Sequence, residues 1–437
     1  MDKSKCIKSF FKKLGIIILI TVILSIIGLL ALCFSYCISI GVEKDTFKRS
    51  QEVFRNEDVY PFISDSSQSM LDNWTDSLLV LTASYKVKEG ESVAQSAMIN
   101  PRYTVDGIES YNTITADLSG DSIDVTTYGR YWHGYLIFLR PLLNLFDYGQ
   151  IRIINTVIQL TLLAFLIILM IKKKYYFLII PFLAAYAFIN PITITKCLQY
   201  SHIWYIVLIS SICYLLFQEK IIKHNIHYLL FAIVGICTGY FDMLSYPIVG
   251  LGTLLILVLT TEEHNFIEAI KKIIICSLSW VAGYSLMWIL GILYASIITG
   301  QKVYIEAIDA LIYRTSNVGI NDAVLTYGGF FEKLFGELDY GLIAVISAIS
   351  ALLGFAYLIY QIIKNIDIIK GDVNFAKNEA IRLLVLLSMT LIPIVWFLFI
   401  LNHSYIHTFF AFRVLFVFFF AIYLIPFKLG FDISKNR

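Results

Sequence analysis

The chain has 437 residues, of which 58% are hydrophobic and only 15% are charged, and its formal net charge is +2. A soluble domain carries about 25% charged residues. Three apolar runs, at 16–34, 153–171 and 273–297, are each long enough to cross a hydrocarbon core about 30 Å thick. These features exclude a soluble enzyme, a nucleic-acid-binding protein and a secreted disulfide scaffold. The sequence predicts an all-α polytopic membrane protein.

The first apolar run follows a basic stretch that holds five lysines between residues 3 and 13. It extends from Leu14 to about Ser39, whereas the apolar region of a signal peptide has only about 7–15 residues. We therefore predict an uncleaved first transmembrane helix whose basic flank stays in the cytoplasm. Nine further spans are predicted near residues 151–171, 175–191, 200–217, 227–242, 245–261, 273–297, 340–363, 383–401 and 406–426.

The placement of the lysines predicts the orientation of these ten spans. Basic residues lie in alternate connections, as expected for cytoplasmic loops. These residues are Lys172, Lys173, Lys174, Lys220, Lys223, Lys271, Lys272, Lys364 and Arg382. The short connections predicted on the outer side hold almost no lysine, Lys196 being the exception. The pattern predicts a multi-pass protein of the cell membrane with both termini in the cytoplasm.

A short apolar stretch at residues 134–146 is interrupted by Arg140 and Pro141. Its length suits an interfacial helix better than a span. If it crossed the membrane, the three lysines at 172–174 would face outward, against the pattern of the other loops. We therefore predict that it lies on the outer surface, where its aromatic residues suit the headgroup level.

The sequence divides into three portions. Residues 1–40 are the cytoplasmic N-terminus and first span, 41–150 an extracytoplasmic loop of mixed helical and irregular structure, and 151–437 a transmembrane bundle with a second outer loop near 299–339. The stretch 41–130 holds 15 acidic against 8 basic residues. A loop of this length is usually functional. All seven cysteines lie outside 41–150, and no pair of them has metal-ligand spacing.

The first cluster of candidate residues is the block Asp72-Asn73-Trp74-Thr75-Asp76, which precedes an apolar helical pattern. Either Asp72 or Asn73 can cap that helix, and Asp76 would lie in its first turn, where the helix dipole favours a carboxylate. The structural interpretation is a charged helix start. The functional one is that Asp76 or Asp72 is a general base that deprotonates a hydroxyl.

A second cluster occupies residues 128–134, with Arg130 and His133, and continues into the interfacial helix with Arg140. Arginine and aromatic residues beside a membrane often anchor a protein among lipid headgroups. They are also suited to hold a lipid phosphate, because arginine presents a planar fork of donors to phosphate oxygens.

Two further clusters lie at predicted outer ends of spans. Asp242 lies in a tight turn between two spans, where an ionisable residue needs a partner, either a salt bridge or a substrate.

His403 and His407 precede Arg413, which is placed inside the last span. The two histidines are four residues apart but no glutamate completes a zinc motif. Phosphate or pyrophosphate binding is favoured over a metal site; no cofactor is indicated, and a divalent metal is left open.

The predicted topology places all four clusters on the outer face or just beneath it, although they are separated in sequence by more than 300 residues. Phosphate-binding side chains at the membrane rim, with carboxylates above them, suit an anionic lipid-linked donor held in the membrane and a polar acceptor arriving from outside.

This layout resembles the GT-C superfamily of integral-membrane glycosyltransferases, and in particular bacterial members with short blocks like those at 72–76, 128–134 and 402–407. The resemblance implies an inverting transfer of a sugar from a polyprenyl-phosphate donor to a hydroxyl of a glycan, lipid or protein, without nucleotide or nucleic acid. It implies Asp76 or Asp72 as the base and Arg130, His133, Arg140, Asp242, His403, His407 and Arg413 as donor or substrate contacts. In many members the acidic residue follows the first span closely, where this chain has Glu43 and Asp45.

Two other classes of membrane protein remain as alternatives. An O-antigen or polysaccharide polymerase or ligase usually places its key basic residues in a large later loop, and residues 299–339 offer only Lys302, Arg314 and Lys333. A transporter of lipid-linked saccharides would need charged residues at the midplane of several spans, often with broken helices in paired halves. Neither feature is evident in the sequence.

Overall fold

The computed structural model describes residues 3–105, 110–118, 123–319, 323–365 and 373–435. The described residues of the first span and of the long polar segment that follows it, which we define as residues 37–147, contain six α-helices, a 3-10 turn at Ser67–Ser69 and one small sheet. The helices are α1 (Lys3–Tyr36), α2 (Asp45–Asn56), α3 (Asn73–Ala83), α4 (Val93–Ile99), α5 (Ser110–Thr115) and α6 (Leu136–Leu145). Strands β1 (Arg102–Val105) and β2 (Ile123–Thr126) pair antiparallel, with Arg102 opposite Thr126.

The remainder of the chain is a helical bundle. Its helices are α7 (Tyr148–Lys172), α8 (Ile179–Phe188), α9 (Pro191–Lys196), α10 (Leu198–His224), α11 (His227–Phe241), α12 (Ile248–Thr261), α13 (Phe266–Thr299), α14 (Val303–Thr315), α15 (Tyr327–Gly336), α16 (Tyr340–Lys364), α17 (Val373–Met389), α18 (Leu391–Phe399), α19 (Leu401–Ile406), α20 (Thr408–Ala411) and α21 (Phe416–Lys435). Short 3-10 turns precede α8 and α21.

Seven apolar helical segments in the described parts of the chain are long enough to cross a membrane. They are Lys8–Tyr36, Tyr148–Lys172, Leu198–His224, Phe266–Thr299, Tyr340–Lys364, Glu379–Phe399 and Thr408–Ser434. Each coincides with a predicted span, so the prediction of an all-α, multi-pass membrane protein is confirmed in this coarser form. The other three predicted spans form shorter apolar helices, Tyr176–Phe188, His227–Phe241 and Ile248–Thr261. A helix needs about 20 residues to cross the hydrocarbon core, so length alone does not establish ten spans.

The short helix around α8 nevertheless connects the two ends of the bundle. At its start, the ring of Phe177 lies 4.5 Å from that of Phe431, near the end of α21. At its finish, the carbonyl of Phe188 accepts a hydrogen bond from Gln68 in the long polar segment. We call the end of the bundle that contacts this segment the loop end, and the other the opposite end.

Helix α11 also extends between these two ends. At the opposite end, His227 Nε2 lies 2.8 Å from a carboxylate oxygen of Glu262, which follows α12. At the loop end, the Tyr240 carbonyl accepts a hydrogen bond from the Gly134 amide at 3.0 Å. Helices α8 and α11 therefore each have contacts at both ends of the bundle, although each has few residues.

Helix α3 forms the centre of the long polar segment, because ten of its eleven residues are buried. Its side chains Leu79 and Leu81 pack in one core with Phe47 and Phe54 of α2 and with the end of α1. A second core lies within the bundle and is built mainly from α8, α10, α12 and α21. The long polar segment is thus a folded unit attached to the bundle.

Helix α6, the predicted interfacial helix, has ten residues and exposes Phe138 and Leu145 on one face. On the other face the Arg140 side chain is completely buried. Its guanidinium donates to four backbone carbonyls at 2.8–2.9 Å, two at the end of α1 and two at the end of α3. These carbonyls belong to Ser35, Ile38, Ala83 and Tyr85. The geometry therefore favours a structural role for Arg140 over the phosphate contact predicted from sequence.

Replacing Arg140 should strongly destabilise the protein. Arg140→Met removes the guanidinium donor from four carbonyls, of which only that of Ser35 keeps a backbone donor in the described chain, and we expect this loss to cost about 3 kcal/mol or more. Arg140→Lys retains part of the hydrogen-bond network, so its unfolding temperature should lie between those of Arg140→Met and the unsubstituted protein. The measurement is thermal unfolding of the purified protein in detergent. The control is Arg49→Met in the same segment, where a half-exposed side chain forms a surface ion pair worth little. Equal unfolding temperatures for Arg140→Met and the control would contradict the structural role.

Candidate functional site

The Asp76 carboxylate is fully buried and binds the start of α10. Its oxygens accept hydrogen bonds from the backbone amides of Leu198 at 2.8 Å and Gln199 at 3.0 Å, and from the hydroxyl of Tyr148. A carboxylate placed here satisfies free amides of the helix N-terminus and complements the helix dipole. Burial raises the pKa of Asp76, against the lowering effect of the Tyr148 hydrogen bond. Asp76 is thus a cap supplied from 122 residues away in sequence, and its acceptor positions are largely occupied.

Asp72 lies one turn earlier and caps its own helix, α3. One carboxylate oxygen accepts from the Thr75 amide at 2.9 Å and the other from the Thr75 hydroxyl at 2.7 Å. A carboxylate oxygen can accept two hydrogen bonds, so each oxygen retains an acceptor position. Burial raises the pKa of Asp72 to about 7, although the hydrogen bonds from Thr75 and the charge of Arg413 lower it. A carboxyl group with this pKa exchanges protons readily at neutral pH, as a general base requires.

Arg413 is completely buried at the start of the last span. Its Cζ lies 3.9 Å from the ring centroid of Tyr200, and its Nη1 donates to the Phe409 carbonyl at 3.2 Å. Its Nε and Nη2 have no hydrogen-bond partner within the described chain, and neither has the Tyr200 hydroxyl. Buried polar groups in native proteins are nearly always hydrogen-bonded. Unused donors whose charge acts on Asp72 therefore mark a place where a polar ligand can bind.

Asp242 does not pair with Arg413 in the described structure. Its carboxylate accepts from the Ser245 amide at 3.0 and 3.2 Å and from the Ser245 hydroxyl. These bonds close the turn between α11 and α12. The Asp242 carboxylate is therefore engaged locally by Ser245 rather than in a salt bridge with Arg413.

His403 and His407 lie next to each other, with ring centroids 4.7 Å apart. The Nε2 of His403 is 2.7 Å from the Leu244 carbonyl, so this pair contacts the turn that holds Asp242. Burial, together with the charges of Arg314 and Lys333, lowers the pKa of His407 to about 4. Burial likewise lowers the pKa of His403. Both rings are therefore neutral at pH 7 and offer hydrogen bonds rather than positive charge.

In the second cluster, at residues 128–134, both His133 and Arg130 form hydrogen bonds within the protein. The two ring nitrogens of His133 lie 2.8 Å from the Tyr135 hydroxyl and 2.9 Å from the Tyr128 carbonyl. Arg130 forms an ion pair with Glu306 of α14 at 2.6 Å and also donates to the Tyr128 hydroxyl at 3.0 Å. Both nitrogens of His133 are thus occupied, whereas Arg130 connects the long polar segment to α14.

The fold brings the four sequence clusters to the loop end. The Gly134 amide bonds to the end of α11, His403 bonds to the turn after it, and Asp72 lies in the electrostatic reach of Arg413. The contacts therefore join elements of the four clusters at one end of the bundle.

Sequence reasoning missed several residues of this region. Arg152 donates to Glu57 at 2.7 Å and to the Asn73 side chain at 2.8 Å, so it holds the start of α3 against α7. An arginine near the end of a predicted span was a usable signal for this contact. Tyr148 and Tyr200 gave no such signal, because tyrosine is common at the ends of membrane helices.

The described residues contain no group of three or more His, Cys, Asp or Glu side chains placed to hold a metal ion. No protein-family model, curated protein or solved structure matches this chain. The geometry of the site therefore carries the functional argument.

The capping role of Asp76 can be tested by a matched pair of substitutions. Asp76→Asn places an amide against two backbone amides in a buried site and should cost about 2–4 kcal/mol. Asp147→Asn is the control, because Asp147 caps α7 from a more exposed position and asparagine caps helices as well as aspartate does. Thermal unfolding in detergent measures both. A control as unstable as Asp76→Asn would contradict the assignment.

Proposed function

We propose that the protein is an integral-membrane glycosyltransferase that moves a sugar from a polyprenyl-phosphate donor to an acceptor hydroxyl on a glycan, lipid or protein. The observation that carries this proposal is the buried pair of Asp72 and Arg413. A carboxyl group with a pKa of about 7 lies near a guanidinium with two unused donor nitrogens, at one end of a membrane bundle. A base beside an anion-binding group suits transfer from a lipid phosphate.

In the proposed reaction the Asp72 carboxylate accepts the proton of the acceptor hydroxyl. The acceptor oxygen attacks the anomeric carbon as the bond from that carbon to the phosphate oxygen breaks, which inverts the configuration. The Nε and Nη2 of Arg413 donate to the departing phosphate and stabilise its charge. Asp76 holds the start of α10, and so Tyr200, in place beneath this pair. His403 and His407 contribute neutral hydrogen-bonding groups.

We further propose that the three short apolar helices cross the membrane and that the loop end lies outside the cytoplasm. Basic side chains support this orientation. At the opposite end, Lys272 binds Glu262, Lys173 lies 3.4 Å from Glu219, and Lys13 lies over the Tyr228 ring. Positive charge on one side is typical of the cytoplasmic face. In this arrangement there are ten spans and both termini are cytoplasmic.

Accessibility of two lysines tests whether the helix around α8 crosses. Lys174 and Lys196 flank this helix and both side chains are exposed. In a cysteine-free background, Lys196→Cys should react with an impermeant maleimide in intact cells, whereas Lys174→Cys should react only after permeabilisation. Labelling of both from the same side would contradict a crossing by this helix.

Loss of transfer in Asp72→Asn tests the base. Asparagine preserves the helix cap, so the fold should be retained, while the rate should fall about 10²-fold or more. In the unsubstituted protein the rate should decline as pH falls below about 7, because protonation of Asp72 removes the acting base. The assay uses proteoliposomes with a panel of polyprenyl-phosphate hexoses and measures the release of polyprenyl phosphate.

The control for this experiment is Asp65→Asn, an exposed acidic residue of the same segment. It should leave the rate and its pH profile unchanged. Full activity of a folded Asp72→Asn variant would remove Asp72 from the mechanism. Movement of the labelled lipid across the bilayer without a new glycosidic bond would favour the transporter.

A further inference from the structure

A group of three arginines lies at the loop end, outside the pair of Asp72 and Arg413. Arg102 comes from β1, Arg130 from the loop after β2, and Arg314 from the last turn of α14. We call these three residues the arginine triad. Of the three, only Arg130 was a predicted substrate contact, because tertiary contacts bring the other two beside it.

Two tyrosine rings hold the triad together. The Cζ atoms of Arg102 and Arg130 lie 5.5 and 4.4 Å from the centroid of the Tyr128 ring. The Cζ of Arg314 lies 5.4 Å from the centroid of the Tyr131 ring, and Arg314 also donates to the Tyr131 hydroxyl. The two rings are 5.5 Å apart. Guanidinium groups stack favourably on aromatic faces, so the tyrosines tolerate three cations in a small volume.

The negative charge facing the triad is small. Glu306 is the carboxylate that forms an ion pair with Arg130, and no other described carboxylate pairs with a member of the triad. The neighbouring imidazoles of His133 and His407 are neutral at pH 7. Burial and the charge of Arg130 lower the pKa of Arg102. The group therefore has an excess of positive charge that a bound anion would balance.

Several donors of the triad are also unused. The Nε and Nη1 of Arg102 and the Nε of Arg130 are buried and have no hydrogen-bond partner in the described ranges. A single guanidinium fork satisfies the two oxygens of a carboxylate, whereas a phosphate monoester has three terminal oxygens to be bound. Donors from several arginines on different elements therefore match phosphate better than carboxylate.

We propose that the arginine triad binds a phosphate group of a substrate. The inference deepens the proposed function, because it gives the same end of the bundle a second anion site beside the one at Arg413. The phosphate belongs either to the lipid-linked donor or to an anionic acceptor. Arg314 connects the arginine triad to the histidine pair that precedes Arg413, since its charge also acts on His403 and His407.

Binding of phosphate compounds to the purified full chain tests this proposal without any transfer. The probes are glucose 1-phosphate and farnesyl phosphate, added to the protein in a non-ionic, phosphate-free detergent. Arg102→Gln and Arg314→Gln should each bind the probe about tenfold more weakly or worse. The matched controls are Arg49→Gln and Arg55→Gln, exposed arginines of the same segment, which should bind as the unsubstituted protein does.

Thermal unfolding with and without the probe separates ligand binding from a structural role. Without phosphate, removal of one of three like charges should leave the unfolding temperature unchanged or raise it. With phosphate, the stabilisation seen in the unsubstituted protein should be lost. An equal fall in unfolding temperature in both conditions, or retained stabilisation by phosphate in both variants, would overturn the proposal.

The variant Arg413→Gln identifies the source of the phosphate. If the triad holds the phosphate of the donor together with Arg413, farnesyl phosphate binding is lost in Arg413→Gln as well as in the triad variants. If it holds an acceptor, glucose 1-phosphate binding survives Arg413→Gln and is lost only in the triad variants. Either outcome supports the site. Phosphate binding that depends on the triad in a protein without transfer activity would refute the proposed function alone.

Discussion

The Asp76 carboxylate joins the two folded parts of the molecule. It lies in the first turn of α3, at the centre of the long polar segment, yet its hydrogen-bond donors are the first amides of α10 in the bundle. A buried carboxylate without these donors would lower the free energy of unfolding, so the segment and the bundle are stable mainly in this relative position. Arg152 strengthens the junction by binding Asn73 and Glu57. The candidate site depends on this junction because Tyr200 lies in the first turn of α10.

Two carboxylates four residues apart acquire different chemistry from their surroundings. Asp76 receives donors from another part of the chain, whereas Asp72 receives two from Thr75 and lies close to Arg413. Both are buried, so burial alone does not distinguish them. The two carboxylates differ in their free acceptor positions: those of Asp76 are largely occupied, whereas each oxygen of Asp72 retains one. In the proposed reaction, one helix turn therefore supplies both a rigid anchor, Asp76, and a proton acceptor, Asp72.

The sequence was sufficient to predict the helical membrane fold, because apolar length and lysine placement follow directly from the bilayer. It also located the Asp72 to Asp76 block. It did not distinguish the roles of the two aspartates, since the amides that bind Asp76 lie about 120 residues later. The role of Arg140 was missed for the same reason, because its carbonyl partners come from two other helices. The arginine triad was missed because its members meet only in the folded chain. A local sequence pattern identifies reactive residue types, whereas tertiary contacts determine the role of each residue.

The long polar segment has a single cysteine, Cys37 at its first residue, because the next cysteine in the chain is Cys197. Its attachment to the bundle rests on apolar packing and on hydrogen bonds and ion pairs such as those of Asp76 and Arg152. A domain built in this way needs no oxidative folding machinery to reach its native state. Its integrity is therefore independent of the thiol–disulfide balance of the compartment that it faces, and reducing agents leave it intact.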